Sequence, residues 1–221
     1  MSAVDSCRRL LFLDCDSTLS AIEGVDELAR LRGPGMFEQI AGMTRDAMDG
    51  GAALETIFAR RLELIQPTRD QLQRVAALYL EHLEPDASQA IARLRATGWT
   101  PVILSGGFRQ AIQPLAERLG IGRVEAVDLC FNDDGTYRGY AHDYPTTRAR
   151  GKNTVINAFK AAHRPLRTVM VGDGASDLET MPDVDFFVGF GRYARREKVR
   201  AGASAYILGF AELPGVLQGL V

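Results

Sequence analysis

The apolar runs at residues 10–13, 102–104 and 169–171 break off directly into segments built from aspartate, serine and glycine. Unbroken apolar runs this short suit strands buried on both faces, as in a parallel sheet covered by helices. The segments that follow are Asp14-Cys15-Asp16-Ser17-Thr18, Ser105-Gly106-Gly107 and Gly172-Asp173-Gly174-Ala175-Ser176-Asp177. In an open parallel sheet the carboxyl ends of the strands share one edge, and ligands bind there. Segments far apart in sequence therefore meet in one place. They bring to it four carboxylates, a serine hydroxyl and several glycine amides, equipment for handling a phosphate and a divalent cation.

Further strands read at 124–127, 186–188 and 206–208, and helical patterns separate most of them. After Phe108, the residues Ile112, Leu115, Ala116 and Leu119 share one helical face, and Gly120 stands where a terminating glycine belongs. Another helix opens at Asp86, turns Ile91 and Leu94 inward and ends at Gly98. Strands alternating with helices give an α/β fold with a doubly wound, mostly parallel, Rossmann-like sheet. The alternation lapses between Ala21 and Leu83, where only helical patterns occur; Thr68-x-x-Gln71 is a capping box leading into Leu72, Val75, Ala76 and Tyr79. That interval is too long for a plain crossover and reads as an inserted helical-bundle cap over the acidic pair. Residues 1–19 and 84–221 are thus assigned to the α/β core, and 20–83 to the cap. Asp134-Gly135, between Phe131 and Tyr137, marks a hairpin turn.

With 221 residues, 46% of them apolar, the chain has ample material for a core, and its formal net charge of −2 is too balanced for a polyanion binder. Arg8 and Arg9 precede an apolar run too short for a signal peptide, and no stretch reaches membrane-spanning length. Cys7, Cys15 and Cys130 are odd in number and lack C-x-x-C spacing, which argues against a disulfide framework and for the reducing cytoplasm. Neither a nucleic acid nor a membrane is expected as a partner.

Asp14 closes an apolar strand, where a carboxylate is costly unless a cation or hydrogen bonds compensate it. Asp173 and Asp177 bring the same liability to the same edge. Mg²⁺ suits such a site, because it takes few protein carboxylates and fills its shell with water and phosphate oxygen. An aspartate facing a phosphate there can act as a nucleophile and form an aspartyl-phosphate. A second carboxyl must then protonate the departing alkoxide and later deprotonate a water. Asp14 and Asp16 fit this division, one carrying the phosphoryl group and the other relaying the proton.

Ser105-Gly106-Gly107 precedes the helix beginning near Phe108 and offers backbone amides to an anion. A plain strand-to-helix turn would use the same glycines. Lys152 opens a helix running to about Ala162, an unfavourable place for a cation. Neutralising a phosphoryl group would explain it; an ordinary solvated lysine is the alternative. His82, His142 and His163 show no metal spacing and read as surface residues, and Cys15 alternates away from its flanking aspartates into the core. Arg192, Arg195, Arg196, Lys198 and Arg200 read as a solvated helix face, and neither a Walker A loop nor a full G-x-G-x-x-G is present.

In order and spacing, Asp14-x-Asp16-Ser17-Thr18, Ser105-Gly106-Gly107, Lys152 and Gly172-Asp173-Gly174-x-x-Asp177 resemble the four motifs of the haloacid dehalogenase superfamily. Within it the chain resembles the phosphoserine phosphatase family. The likeness runs through Glu23-Gly24-Val25-Asp26-Glu27-Leu28-Ala29, Met43-Thr44-Arg45-x-Ala47-Met48 and Arg61-Leu62-x-Leu64-Ile65-Gln66-Pro67, so it spans nearly the whole chain. The resemblance implies Mg²⁺-dependent hydrolysis of a small molecule, L-phosphoserine, through an aspartyl-phosphate, by a monomer or homodimer. It implies Asp14 as the nucleophile and Asp16 as the acid/base. It also implies Mg²⁺ on the Asp14 carboxylate, the Asp16 carbonyl and Asp173, with Asp177 supporting the outer shell and Lys152. Ser105, Gly106 and Lys152 would hold the phosphoryl oxygens, with Gly107 and Ser176 also at the substrate. Glu23 would meet the substrate ammonium and Arg61 its carboxylate, with Met48 packing nearby. Charge agrees with that pairing, since a guanidinium fork matches a carboxylate, though charge alone would leave both as helix-surface residues.

Leu54 stands where the family has a pocket-lining phenylalanine, small residues Ser20-Ala21 lead through Ile22 to Glu23, and Ser176 replaces a threonine. One rival reading keeps the chemistry and changes the substrate to another small phosphorylated metabolite, or passes the phosphoryl group to an alcohol. A receiver-like phospho-aspartate switch is a rival of another class; the inserted helices and the built-in base Asp16 count against it.

Overall fold

Successive residues of the first strand enter two different cores. Leu11 and Leu13 pack into one apolar cluster, Leu10 and Phe12 into the other, because side chains alternate across a sheet. The computed structural model describes residues 9–48 and 54–220; Cys7 and Arg8 lie outside them. Strand β1 (Arg9–Leu13) leads into four helices, α1 (Gly24–Arg30), α2 (Pro34–Met48), α3 (Leu54–Ile65) and α4 (Arg69–Glu81). Then follow α5 (Ala87–Ala96), β2 (Trp99–Phe108), α6 (Arg109–Leu119) and β3 (Val124–Val127). An antiparallel hairpin of β4 (Leu129–Phe131) and β5 (Tyr137–Tyr140) precedes α7 (Gly151–His163) and β6 (Arg167–Gly172). The chain closes with α8 (Ala175–Leu178), β7 (Phe186–Phe190), α9 (Glu197–Gly202), β8 (Ala205–Ile207) and α10 (Leu213–Leu217).

The six-stranded sheet has the order β3-β2-β1-β6-β7-β8 and is parallel throughout. Residues of α5, α6 and α10 pack on one face; those of α7 and α9 pack on the other. This is the doubly wound arrangement expected from the alternation. Leu13 stands level with both Ile103 and Val171, so the three polar segments start at about the same height along the sheet.

Local signals held where their chemistry is self-contained. The Thr68 hydroxyl accepts from the Gln71 amide at 3.2 Å and the Gln71 side chain accepts from the Thr68 amide at 2.9 Å, closing the capping box of α4. Helix α6 ends at Gly120 with φ 67°, and the hairpin turns at Gly135 with φ 82°. The inward residues of α4, Leu72, Val75, Ala76 and Tyr79, belong to the same apolar cluster as α6 and the sheet face beneath it. None of the helices among the described residues is long and apolar enough to cross a membrane.

Two expectations need correction. Ser105-Gly106-Gly107 is not a turn before α6: β2 continues through it to Phe108, which pairs with Val127 after a shift of register beyond Leu104. The glycines therefore form an irregularity in the strand itself. The basic run is not one solvated helix face either, because α9 starts only at Glu197. Arg192 instead meets Glu84 at 3.1 Å and Arg196 meets Asp173, both acids buried, and those ion pairs hold the segment in place.

Candidate active site

The Asp14 amide donates to the Val171 carbonyl at 2.9 Å, carrying the sheet ladder one residue past β1. The chain then tightens into the turn Cys15–Leu19, in which Ser17 has a left-handed φ of 50°. Cys15 goes into the apolar core, as its alternation implied. Asp14 and Asp16 stay on the open edge, each less than a tenth exposed.

Lys152, in the first turn of α7, is only 5% exposed and reaches across to this edge. Its Nζ lies 2.9 Å from Asp14 Oδ1 and 2.5 Å from Asp177 Oδ1. Asp177 is fixed in turn by the Gly174 amide, which donates to its Oδ2 at 3.0 Å. Gly172 must be glycine here, since a Cβ would overlap the Asp177 carboxylate. Asp173 accepts from the Thr18 hydroxyl at 3.2 Å and is paired with Arg196.

Asp14, Asp173 and Asp177 each offer an oxygen, all within 4.8 Å of one another and all buried. Together with Asp16, four carboxylates face two cations, Lys152 and Arg196. A divalent ion could supply the missing positive charge, and an all-oxygen donor set suits a hard cation such as Mg²⁺. The electrostatics carry the same message. Burial pushes the Asp14 carboxyl well above the usual range, Asp177 adds to it, and Lys152 opposes. Burial likewise raises Asp173 to about 7, against Arg196 and with Asp177. Burial pulls Lys152 down, but Asp14 and Asp177 more than offset it and hold the ammonium charged.

Asp16 sits where three donors converge. Its Oδ1 accepts from the Gly24 amide and from the Tyr79 hydroxyl, each at 2.6 Å. Its Oδ2 accepts from the Ser105 hydroxyl at 3.3 Å, and the Ser105 oxygen accepts from the Gly107 amide at 2.9 Å. A Cβ on Gly107 would stand 2.8 Å from Oδ2, so the absence of a side chain lets the carboxylate lie over the strand. Gly106 is half-buried on the same irregular stretch.

Glu23, just ahead of α1, accepts from the Ser17 hydroxyl at 2.6 Å. Its carboxyl is raised well above the ordinary value by burial, then by Asp16 and Asp173. Arg61 on α3 is 6% exposed; burial lowers its pKa while Asp26, Glu23 and Asp16 support its charge. The structure thus gathers Asp14, Asp16, Ser105, Gly107, Lys152, Asp173 and Asp177 at one edge, ties Glu23 to Ser17 in the turn beside them and buries Arg61 where the charges of Glu23 and Asp16 act on it. Ser176 is half-buried on α8, directly before Asp177. The side chains of Met48 and Leu54 lie outside the described residues. His82, His142 and His163 are exposed. Thr18, Tyr79 and Arg196 are contacts that sequence reasoning missed; Tyr79 looked like one more apolar residue of its helix.

A model of the haloacid dehalogenase-like hydrolase family matches residues 9–185. A phosphoserine phosphatase of Bos taurus is 39% identical over 93% of this chain and 91% of its own length. One from Drosophila melanogaster is 32% identical over 94% of this chain and 77% of its own. Among solved structures, a phosphoserine phosphohydrolase-like protein from Francisella tularensis shares the fold with a TM-score of 0.87 at 22% identity, covering 95% of this chain and 99% of that one. The chain belongs to the haloacid dehalogenase-like hydrolases and, among them, to the phosphoserine phosphatase family.

Proposed function

We propose that this chain hydrolyses L-phosphoserine to L-serine and phosphate, with Asp14 as the nucleophile and Asp16 as the acid/base. The observation that carries the reading is Lys152, buried against Asp14 with no apolar reason to be there. In the reaction, an Asp14 carboxylate oxygen attacks phosphorus and the bond to the serine oxygen breaks. Asp16 gives its proton to that oxygen as it leaves. Asp16 then takes a proton from a water, whose oxygen attacks the phosphoryl group and returns Asp14. Lys152 and Ser105 balance the phosphoryl charge, with the amides of Gly106 and Gly107 and Ser176 beside them. Asp14, Asp173 and the Asp16 carbonyl would hold Mg²⁺, with Asp177 behind them; when bound it offsets negative charge on the phosphoryl oxygens.

Glu23 takes the substrate ammonium and Arg61 its carboxylate. Support comes from the Ser17 hydroxyl that holds Glu23 beside the Asp16 turn, from the burial of Arg61, and from the opposite charges that phosphoserine presents to them. Residues 20–83 act as the cap and 1–19 with 84–221 as the core, and a small shift of the cap would admit substrate and exclude water. The cytoplasm suits the free thiols of Cys15 and Cys130.

Phosphate release from L-phosphoserine, phosphothreonine and an aryl phosphate, each with Mg²⁺ and with EDTA, tests the reading. A Mg²⁺-dependent preference for phosphoserine supports it. Release from the aryl phosphate alone would keep the core chemistry and remove the substrate. Turnover by Asp14→Asn would remove the nucleophile.

A further inference from the structure

We propose that Tyr79 is a positioning residue for the proton relay: its hydroxyl holds the Asp16 carboxyl so that Oδ2 exchanges protons with the reacting groups. This role presupposes Asp16 as the acid/base, as proposed above. Tyr79 lies on the apolar face of α4 beside Leu72, Val75 and Ala76 and is wholly buried. Nothing in that packing calls for a hydroxyl, yet the hydroxyl donates to Asp16 Oδ1 at 2.6 Å. The Gly24 amide, from α1, donates to the same oxygen at the same distance. Glycine is needed there because a Cβ on Gly24 would overlap the Tyr79 hydroxyl. Two helices are thus built to converge on one carboxylate oxygen.

A carboxylate oxygen has two lone pairs, and both of those on Oδ1 are engaged. A proton placed on Oδ1 would displace one donor and leave it buried and unpaired, which is costly. Oδ2 receives only the longer bond from Ser105, 3.3 Å, and overlies Gly107. It faces the stretch assigned above to the phosphoryl group. The proton therefore leaves from Oδ2 to the serine oxygen as the P–O bond breaks, the bonding pair staying on that oxygen. Oδ2 recovers a proton from the hydrolytic water. Without the Tyr79 hydroxyl, Gly24 alone holds Oδ1 and the carboxyl turns out of alignment.

The test compares wild type, Tyr79→Phe and Asp16→Asn on L-phosphoserine, whose alkoxide must be protonated, and on 4-nitrophenyl phosphate, which leaves as a stable anion. The ratio kcat/KM covers every step through departure of the leaving group. Tyr79→Phe should lose about tenfold or more on phosphoserine and no more than about twofold on the aryl ester. Gly24→Ala, which pushes the hydroxyl away, should show the same selective loss. The aryl ester also serves as the folding control, read beside thermal melts. Equal losses on both substrates, or none on phosphoserine, overturn the positioning role. If Asp16→Asn keeps its phosphoserine turnover, the acid/base reading itself fails. If Asp16→Asn is selectively impaired and Tyr79→Phe is not, only the role of Tyr79 falls.

Discussion

Stripped of divalent cations, the protein should gain stability as pH falls from about 8 to about 5, the reverse of ordinary acid denaturation. The cause is the buried trio Asp14, Asp173 and Asp177. The Asp173 carboxyl moves from 3.8 to about 7 on folding, driven first by burial, against Arg196 and with Asp177. Between those two values the folded protein holds a proton that the unfolded chain has released. The resulting stabilisation is complete below the unfolded pKa and is lost as pH rises through the folded one. Only the part of that displacement lying between about 7 and 5 is gained over this pH range, on the order of 3 kcal/mol. A domain of this size changes its Tm by roughly 2–4 °C per kcal/mol, so the chelated protein should melt on the order of 10 °C higher at the acidic end. Mg²⁺ held by this trio would compete with the proton for the same oxygens. At a concentration of about 100 times Kd it should add about 2.7 kcal/mol at the alkaline end, shrinking as the pH falls. Thermal melts in EDTA and in Mg²⁺ across this range read both effects. A chelated protein whose Tm is flat or rises with pH, or a Mg²⁺ gain independent of pH, would refute the reasoning.

Lys152→Met leaves the Asp14 and Asp177 carboxylates facing each other without their buried counter-charge; steady-state kinetics should show kcat lowered by about 100-fold or more. Arg61→Lys keeps a charge but loses the fork, so KM for phosphoserine should rise about tenfold while that for an aryl phosphate hardly moves. Glu84→Ala removes a wholly buried acceptor and strands Arg192, the Tyr193 hydroxyl, which donates to it at 2.5 Å, and the Phe210 amide, at 3.4 Å. Because Arg192 is 40% exposed and can turn to water, urea titration should show a loss of about 2–3 kcal/mol for Glu84→Ala and about 1 kcal/mol for Tyr193→Phe.

What the sequence shows about this molecule is whatever depends on near neighbours. The apolar runs, the Thr68–Gln71 box and the αL glycine after α6 each carry their cause within a few residues, and the structure has them where the pattern put them. Long-range pairing is invisible to periodicity. Arg196 finds Asp173 and Arg192 finds Glu84 across the fold, so a run of positive charge looked like a wet helix face. Tyr79 fitted its apolar stripe so well that its hydroxyl drew no notice, although a wholly buried tyrosine must send its O–H somewhere. The irregular end of β2 escaped for a similar reason: its pairing with β3 is set by where Val127 falls, not by the glycines alone.

The central place of β1 also governs how the protein comes to be folded. Its partners, β2 and β6, begin at Trp99 and Arg167, so β1 waits for chain made much later. Pairings of such long sequence separation form slowly, and until they form an apolar strand is exposed to other chains. Asp14 stands at the end of that strand, and its carboxylate meets Lys152 and Asp177 only when the late segments arrive. Nascent or truncated chains that stop short of β6 therefore lack both a paired first strand and an assembled catalytic edge, so recovery of activity on refolding should track completion of the sheet.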